Sequence, residues 1–206
     1  MANVNNFFNN PNIKQINELG AFRVVEYQKD YTMSPTAATV LYYCDKMGLR
    51  KRQVVVELKN TSCILSSGAM QWTIGNIEAK TDIKSAGDLL GKMVKGAASG
   101  EGAVKPKYTG AGLVVLEPTY KYILLEDVEN WAGGLVLDDG MFLACDGTVE
   151  QKIVRRHNFS SALAGGEGLF NLCLVGKGIA VLESPVPREE LVEITLNNDE
   201  IKIDGN

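Results

Sequence analysis

The sequence predicts an all-β fold, a β-sandwich or double-stranded β-helix with an internal pseudo-threefold repeat and one N-terminal helix. Three observations predict it. Short apolar runs recur from Gln53 to the end of the chain, separated by Gly, Asn and Asp. Gly supplies 21 of the 206 residues against 6 Pro, so the punctuation is mostly tight bending of the backbone. Glycine-centred signals also return at a fixed spacing, which is the mark of a repeated structural unit.

Taken in order, residues 1–20 read as a loose tail. The stretch from Met1 to Pro11 is rich in Asn and has neither the basic cluster nor the apolar core of a signal peptide. Residues 21–206 read as a single β-repeat domain. Ser34-Pro35 has the form of an N-cap followed by Pro at the first helical position, and Ala37, Val40, Leu41, Cys44 and Met47 then recur at helical spacing as far as Gly48. Val54, Val56 and Leu58 alternate as a half-buried strand requires. Further strands are expected at 71–74, 113–116, 122–125, 141–145, 169–175, 179–182, 193–196 and 200–203. Residues 85–96 combine apolar spacing with Gly87, Gly91 and Gly96, and read as a loop with a helical turn.

The repeat pairs Gly100-Glu101-Gly102 with Gly166-Glu167-Gly168. It also pairs Gly110-Ala111-Gly112-Leu113-Val114-Val115-Leu116-Glu117 with Gly176-Lys177-Gly178-Ile179-Ala180-Val181-Leu182-Glu183, at the same offset. Upstream, Gly75-Asn76-Ile77-Glu78 matches Gly147-Thr148-Val149-Glu150, and Leu135-Val136-Leu137-Asp138-Asp139 resembles the segment Glu193 to Asn198. The units are about 54–118, 135–184 and a partial 193–206. The glycine pairs fit tight hairpins, because positive φ costs glycine little. The incomplete third unit leaves an open edge, to be covered by Phe22 to Tyr27, by another subunit, or by chain beyond this sequence.

Several motifs together, Gly68-Ala69-Met70-Gln71-Trp72, Gly91-Lys92-Met93, Lys105-Pro106-Lys107-Tyr108-Thr109-Gly110, Leu116-Glu117-Pro118-Thr119-Tyr120, Asp139-Gly140-Met141-Phe142-Leu143-Ala144 and Gly165-Gly166-Glu167-Gly168-Leu169-Phe170-Asn171, resemble the altered-inheritance-of-mitochondria protein 24 family, which includes a bacterial domain of unknown function 124. The resemblance runs from about Arg52 to Asn206. It implies a β-sandwich or double-stranded β-helix shaped like the tryptophan RNA-binding attenuator protein, with a pseudo-threefold repeat whose third unit normally continues past Asn206. It implies no catalytic residues. Mitochondrial members are linked to inner-membrane organisation, but this chain shows no Arg-rich amphipathic presequence.

Composition limits the function. With 21 Lys and Arg against 25 Asp and Glu the net charge is -4, opposite to what a phosphate-neutralising surface needs, so no nucleic acid is expected. No apolar run reaches the length of a membrane span. Cys44, Cys63, Cys145 and Cys173 stand singly in apolar segments without metal-ligand spacing and read as buried thiols of a cytoplasmic protein.

No catalytic, cofactor or metal site emerges. The Ala86 to Met93 segment around Lys92 lacks the first glycine and the Ser or Thr of a phosphate loop, and Gly110-Ala111-Gly112 lacks the third glycine of a dinucleotide fingerprint. His157 is the single histidine and has no nucleophile elbow to serve. Asp138-Asp139 and Glu189-Glu190 read as turn and helix-start residues, and Glu101 and Glu167 as caps of backbone amides. The basic patches Arg50-Lys51-Arg52 and Arg155-Arg156 read as solvated surface, and Trp72, Trp131, Tyr120 and Tyr122 as core. The expected function is therefore a non-enzymatic β-repeat scaffold or interaction protein, with a protein partner or self-association. The alternative is a module that binds a small molecule or carbohydrate in a cleft between β units, without a cofactor.

Overall fold

The computed structural model describes residues 4–32, 34–80, 105–155 and 170–201. Among the described residues eleven strands form two sheets, and a single α-helix precedes most of them. In the larger sheet β1 (Ile13–Leu19), β2 (Phe22–Tyr27), β3 (Arg52–Leu65), β8 (Phe142–Asp146), β11 (Ile179–Ser184) and β6 (Tyr122–Asp127) lie side by side. There β5 (Lys107–Leu116) also pairs with β3, and β4 (Met70–Lys80) with β5. The smaller sheet has the order β7 (Leu135–Leu137), β10 (Phe170–Val175), β9 (Glu150–Arg155). All the pairings are antiparallel.

The all-β class with one helix holds, and most of the expected strands are present. The strand beginning near Gln53 departs from the alternating pattern, because Val54, Val55 and Val56 are all fully buried. Val54 and Val56 join a core with Phe22, Val114, Leu116 and Val181. Val55 shares the opposite face with Gln53, which is buried too. The Gln53 amide donates to Gln71 Oε1 at 2.8 Å and to the Leu116 carbonyl at 2.7 Å, and its oxygen accepts from the Tyr27 hydroxyl at 2.6 Å. A central strand covered on both faces reads as a continuous apolar run. A second core, built from Leu135, Leu137, Phe142, Leu172, Leu174 and Leu182, joins the small sheet to the large one.

Within the tail expected to be loose, Ile13–Leu19 form a strand, β1, and Asn12 bonds to Gln28 and Lys29. The polar strand β1 is held by backbone pairing with β2 from Ile13↔Tyr27 to Leu19↔Phe22. Its composition gives little strand signal, because an exposed edge strand needs only a partner's ladder of donors and acceptors. In turn, β2 pairs with the first half of β3, from Phe22↔Val56 to Glu26↔Arg52.

The described glycine pairs, Gly110/Gly112 and Gly176/Gly178, are not hairpins. Gly110 and Gly112 sit inside β5, opposite Ile77 and Gly75 of β4, at φ of +140° and +150°. A Cβ there would lie 1.9 Å from the Asn76 carbonyl oxygen and 2.1 Å from that of Ile74. The glycines let β4 and β5 approach more closely than side chains permit. Gly176 and Gly178 separate β10 from β11, which belong to different sheets, so there the pair connects the two sheets.

At the other end, Glu193 to Leu196 forms no strand. Its alternation is suitable, but among the described residues no neighbouring strand offers it a ladder. Residue 200 is likewise outside any strand, and 202–203 lie outside the described residues, as do 85–96, Gly100-Glu101-Gly102, Gly166-Glu167-Gly168, Lys92, His157 and Arg156.

Candidate functional site

The helical signal is realised as a 3-10 turn at Pro35–Ala37 running into α1 (Ala38–Lys46), with Ser34 extended at φ -69° and ψ 155° ahead of Pro35. Pro fixes the φ of the first turn, and Gly48, at φ +71°, follows the helix end. No residue of α1 is buried. Between this helix and the ends of β2 and β3 lies a cleft of about 260 Å³, lined among others by Tyr27, Leu41, Tyr42, Cys44 and Tyr120.

Asp30 sits at the base of this cleft, with its side chain 6% exposed. Asp30-x-Thr32 folds as an Asx turn. The carboxylate accepts from the Thr32 amide at 2.8 Å and from its hydroxyl at 2.6 Å. Lys51 Nζ donates to it at 2.9 Å, and the Tyr120 hydroxyl donates to its other oxygen. Lys51 also lies 4.9 Å from the centroid of the Tyr27 ring.

Burial raises the Asp30 pKa, but the hydrogen bonds from Thr32, Tyr120 and Lys51 outweigh it, so the carboxyl is held well below the usual range. Burial, the hydrogen bond to Asp30 and its charge together raise the Tyr120 pKa. Four donors hold the carboxylate in its charged form, and the phenol keeps its proton. The cluster fastens the segment before α1 to the sheet.

The patch Arg50-Lys51-Arg52, expected to be solvated, is in fact drawn into this fastening. Arg52 is buried, pairs with Glu26 at 2.9 Å, stacks 4.2 Å from the Tyr122 ring centroid and exchanges backbone hydrogen bonds with Thr119. Arg50 lies between Glu26 at 3.8 Å and Asp45 at 3.5 Å. Arg155 ends β9. The aromatic residues are also less buried than expected. Trp131 is exposed, Tyr120 and Tyr122 are half-buried, and Trp72 is half-buried with its ring against Phe7. Asp139 and Gly140 form a turn, and Glu189 and Glu190 a short 3-10 helix, as their residue types suggested.

A second cleft of about 330 Å³ lies between the starts of β4 and β8 and the ends of β5 and β11, lined in part by Gly68, Glu117, Gly140, Phe142 and Glu183. It brings together three of the motifs quoted above, far apart in sequence. Backbone bonds tie them: Ser66 to Leu143, Glu117 to Ala69 and Glu183 to Met141. Glu183 is neutralised by Lys121 at 2.7 Å.

Three thiols, Cys63, Cys145 and Cys173, are buried, whereas Cys44 is only half-buried beside the first cleft, and all four are free. Burial pushes Cys63 and Cys145 up to about 12, helped by their mutual proximity for Cys63 and by Asp146 for both. Alkylation of the native protein at pH 8 is expected to label Cys44 alone, because only thiolate that reagent can reach reacts. Mass mapping that finds Cys63 or Cys145 labelled without denaturant would contradict that burial.

The Asp30 cluster was missed as a unit in the sequence. Asp30-x-Thr32 is a local turn signal, but Tyr120 is 90 residues away from Asp30, and no spacing rule connects them. Among the described residues no helix is long and apolar enough to cross a membrane.

Comparison with known proteins places the chain. An uncharacterised protein of Streptococcus pyogenes serotype M6 is 31% identical over 153 residues, covering 70% of this chain and 59% of that protein. A crystal structure of a Streptococcus pyogenes protein is 24% identical with a TM-score of 0.47, covering 79% of this chain and 64% of that one. This chain thus spans about three fifths of the length of these relatives. The family model described as mitochondrial biogenesis AIM24 matches residues 47–206, and the chain belongs to that family.

Proposed function

We propose that the protein is a non-enzymatic β scaffold that acts by holding other protein chains. The observation that carries this reading is the outer face of α1. Val40, Tyr43 and Met47, at helical spacing, are 58%, 60% and 72% exposed, while Leu41 on the other side lines the cleft. A helix with apolar residues on both sides is ordinarily covered on both. The polar cluster beneath it is saturated by its own partners, which favours a fixed platform over a reacting centre.

Cross-linking of the native protein with a lysine-reactive reagent, read by mass spectrometry, tests this. Lys46 at the end of α1 is expected to link to another chain, and Tyr43→Asp with Met47→Asp to abolish that link without moving the melting curve. Links confined to one chain, or unchanged in the variant, would overturn the reading.

The second cleft supports the alternative of a small-molecule or carbohydrate module, since it lies between strands of the two proposed β units and its glycines allow close approach. Thermal-shift screening against neutral sugars would favour it if stabilisation is lost in Gly140→Val.

A further inference from the structure

One face of the large sheet carries apolar residues that belong to neither core. Arg23 of β2 pairs with Val55 of β3, Val55 with Val115 of β5, and Val115 with Trp72 of β4. Directly opposed residues share a side of the sheet, so these four side chains form one row across four strands. Their neighbours along the strands, Val54, Val56 and Val114, face the first core, which puts the row on the opposite side. Val55 and Val115 are nevertheless fully buried.

The segment before β1 lies over both ends of this row. The Phe7 ring meets the Trp72 ring edge to face at 5.8 Å, and the Arg23 guanidinium lies 5.7 Å from the centroid of the Phe8 ring. The two phenylalanine rings pack on each other at 5.0 Å, so the pair bridges the row above the valines. Among the described residues, the hydrogen bonds of this segment close on itself. The Asn6 N–H donates to the Asn9 side chain at 2.8 Å, the Asn10 side chain to the Asn6 carbonyl at 3.3 Å, and the Asn10 N–H to the Phe7 carbonyl at 3.3 Å. Bonds to the sheet begin at Asn12, which is tied to Gln28 and Lys29. Residues 6–10 are thus a self-closed knob seated by two rings. Lifting it breaks none of these bonds and leaves a floor that the strand ladders hold in place, as in elements that open locally ahead of the fold.

We propose that the Val55 and Val115 face is a docking surface for a peptide segment of another protein that presents two adjacent aromatic residues, and that residues 6–10 cover it in the free protein as an autoinhibitory contact. The cover itself shows the chemistry of the occupant. One ring meets the Trp72 ring, one lies against the Arg23 guanidinium, and the segment Asn6-Phe7-Phe8-Asn9-Asn10 brings no charge of its own. This surface goes beyond the outer face of α1, and its occupancy is read at Trp72 and not at Lys46, so either reading can fail without the other.

The test uses the full chain in a Trp131→Phe background, which leaves Trp72 as the one tryptophan of the original two. The probe is the synthetic peptide of residues 4–11. Phe7→Ser with Phe8→Ser is expected to release the cover and move the Trp72 emission to longer wavelength. The peptide is titrated to about millimolar concentration, the effective level at which a tethered segment competes, and is expected to restore the emission of the released variant. The chain that keeps its own cover should bind the peptide about tenfold more weakly, because its face is free only part of the time. The same peptide with both Phe replaced by Ser should bind neither chain. Equal binding to the two chains, or equal binding of the two peptides, would overturn the proposal. Where the released variant does not fold, the covered chain decides: binding of the Phe peptide alone supports the proposal, and no binding overturns it. A doubled mass of the covered chain in light scattering, reversed by the peptide, would give the face to a second copy and overturn the partner assigned.

Discussion

Gly112→Ala is expected to destabilise the protein by about 3 kcal/mol or more, the sum of strain at a positive φ and of overpacking against the backbone. The added methyl would lie 2.1 Å from the Ile74 carbonyl oxygen and 3.0 Å from the Gly75 Cα. Neither can move aside without disturbing the β4–β5 ladder. At this chain length the melting temperature should fall by about 6–12 °C, measured by calorimetry. Gly68→Ala is the control. It also has a positive φ, +77°, but nothing within 4 Å of the added Cβ, so only strain of about 1 kcal/mol remains. Equal losses in the two variants would show that close strand approach is not what Gly112 provides.

The second large effect belongs to Asp30→Asn. The substitution leaves the Lys51 ammonium, 12% exposed, without its counter-charge, and removing one partner of a buried pair costs about 3–5 kcal/mol. The loss depends on pH with a definite sign. The folded Asp30 carboxyl titrates below its unfolded value of about 3.9, so its stabilisation is complete above that value and disappears as pH falls through the folded pKa. Denaturant unfolding is therefore expected to show the wild type and Asp30→Asn far apart at pH 6 and converging as the pH falls below about 4. Parallel curves down to pH 2 would contradict the assignment. Asp30→Leu combined with Lys51→Met should recover part of the loss, since a buried pair can be replaced by apolar side chains more cheaply than it can be halved.

Several particulars show how far the sequence reaches. Ser34-Pro35 and Gly48 bracket the helix within a residue or two, because caps and φ restrictions act locally. The apolar runs at 122–125, 141–145 and 179–182 are strands for the same reason. Ile13–Leu19 was not legible, since a polar edge strand draws its order from the β2 ladder, and Glu193 to Leu196 misled in the opposite direction. Gly110 and Gly112 announced a special backbone but not its kind. Positive φ serves a hairpin, a corner or a close approach equally well, and only the neighbour across β4 distinguishes them.

The candidate site was less legible than the fold. Lys51 and Arg52 look like surface charges until Asp30, Glu26 and Tyr122 are brought beside them, and Tyr120 looks like core until its hydroxyl reaches Asp30. The second cleft gathers residues from 66 to 183, a separation over which local rules carry no information.

By itself the sequence determined the class of structure, the position of the helix and the family. Each depends on residue types acting on their own backbone or on short patterns. The tertiary structure alone decided which strands share a ladder, which valines are covered on both faces, where charges find partners and which apolar segments stay exposed. These depend on contacts between distant parts of the chain, whose energies arise only once burial has brought the groups together.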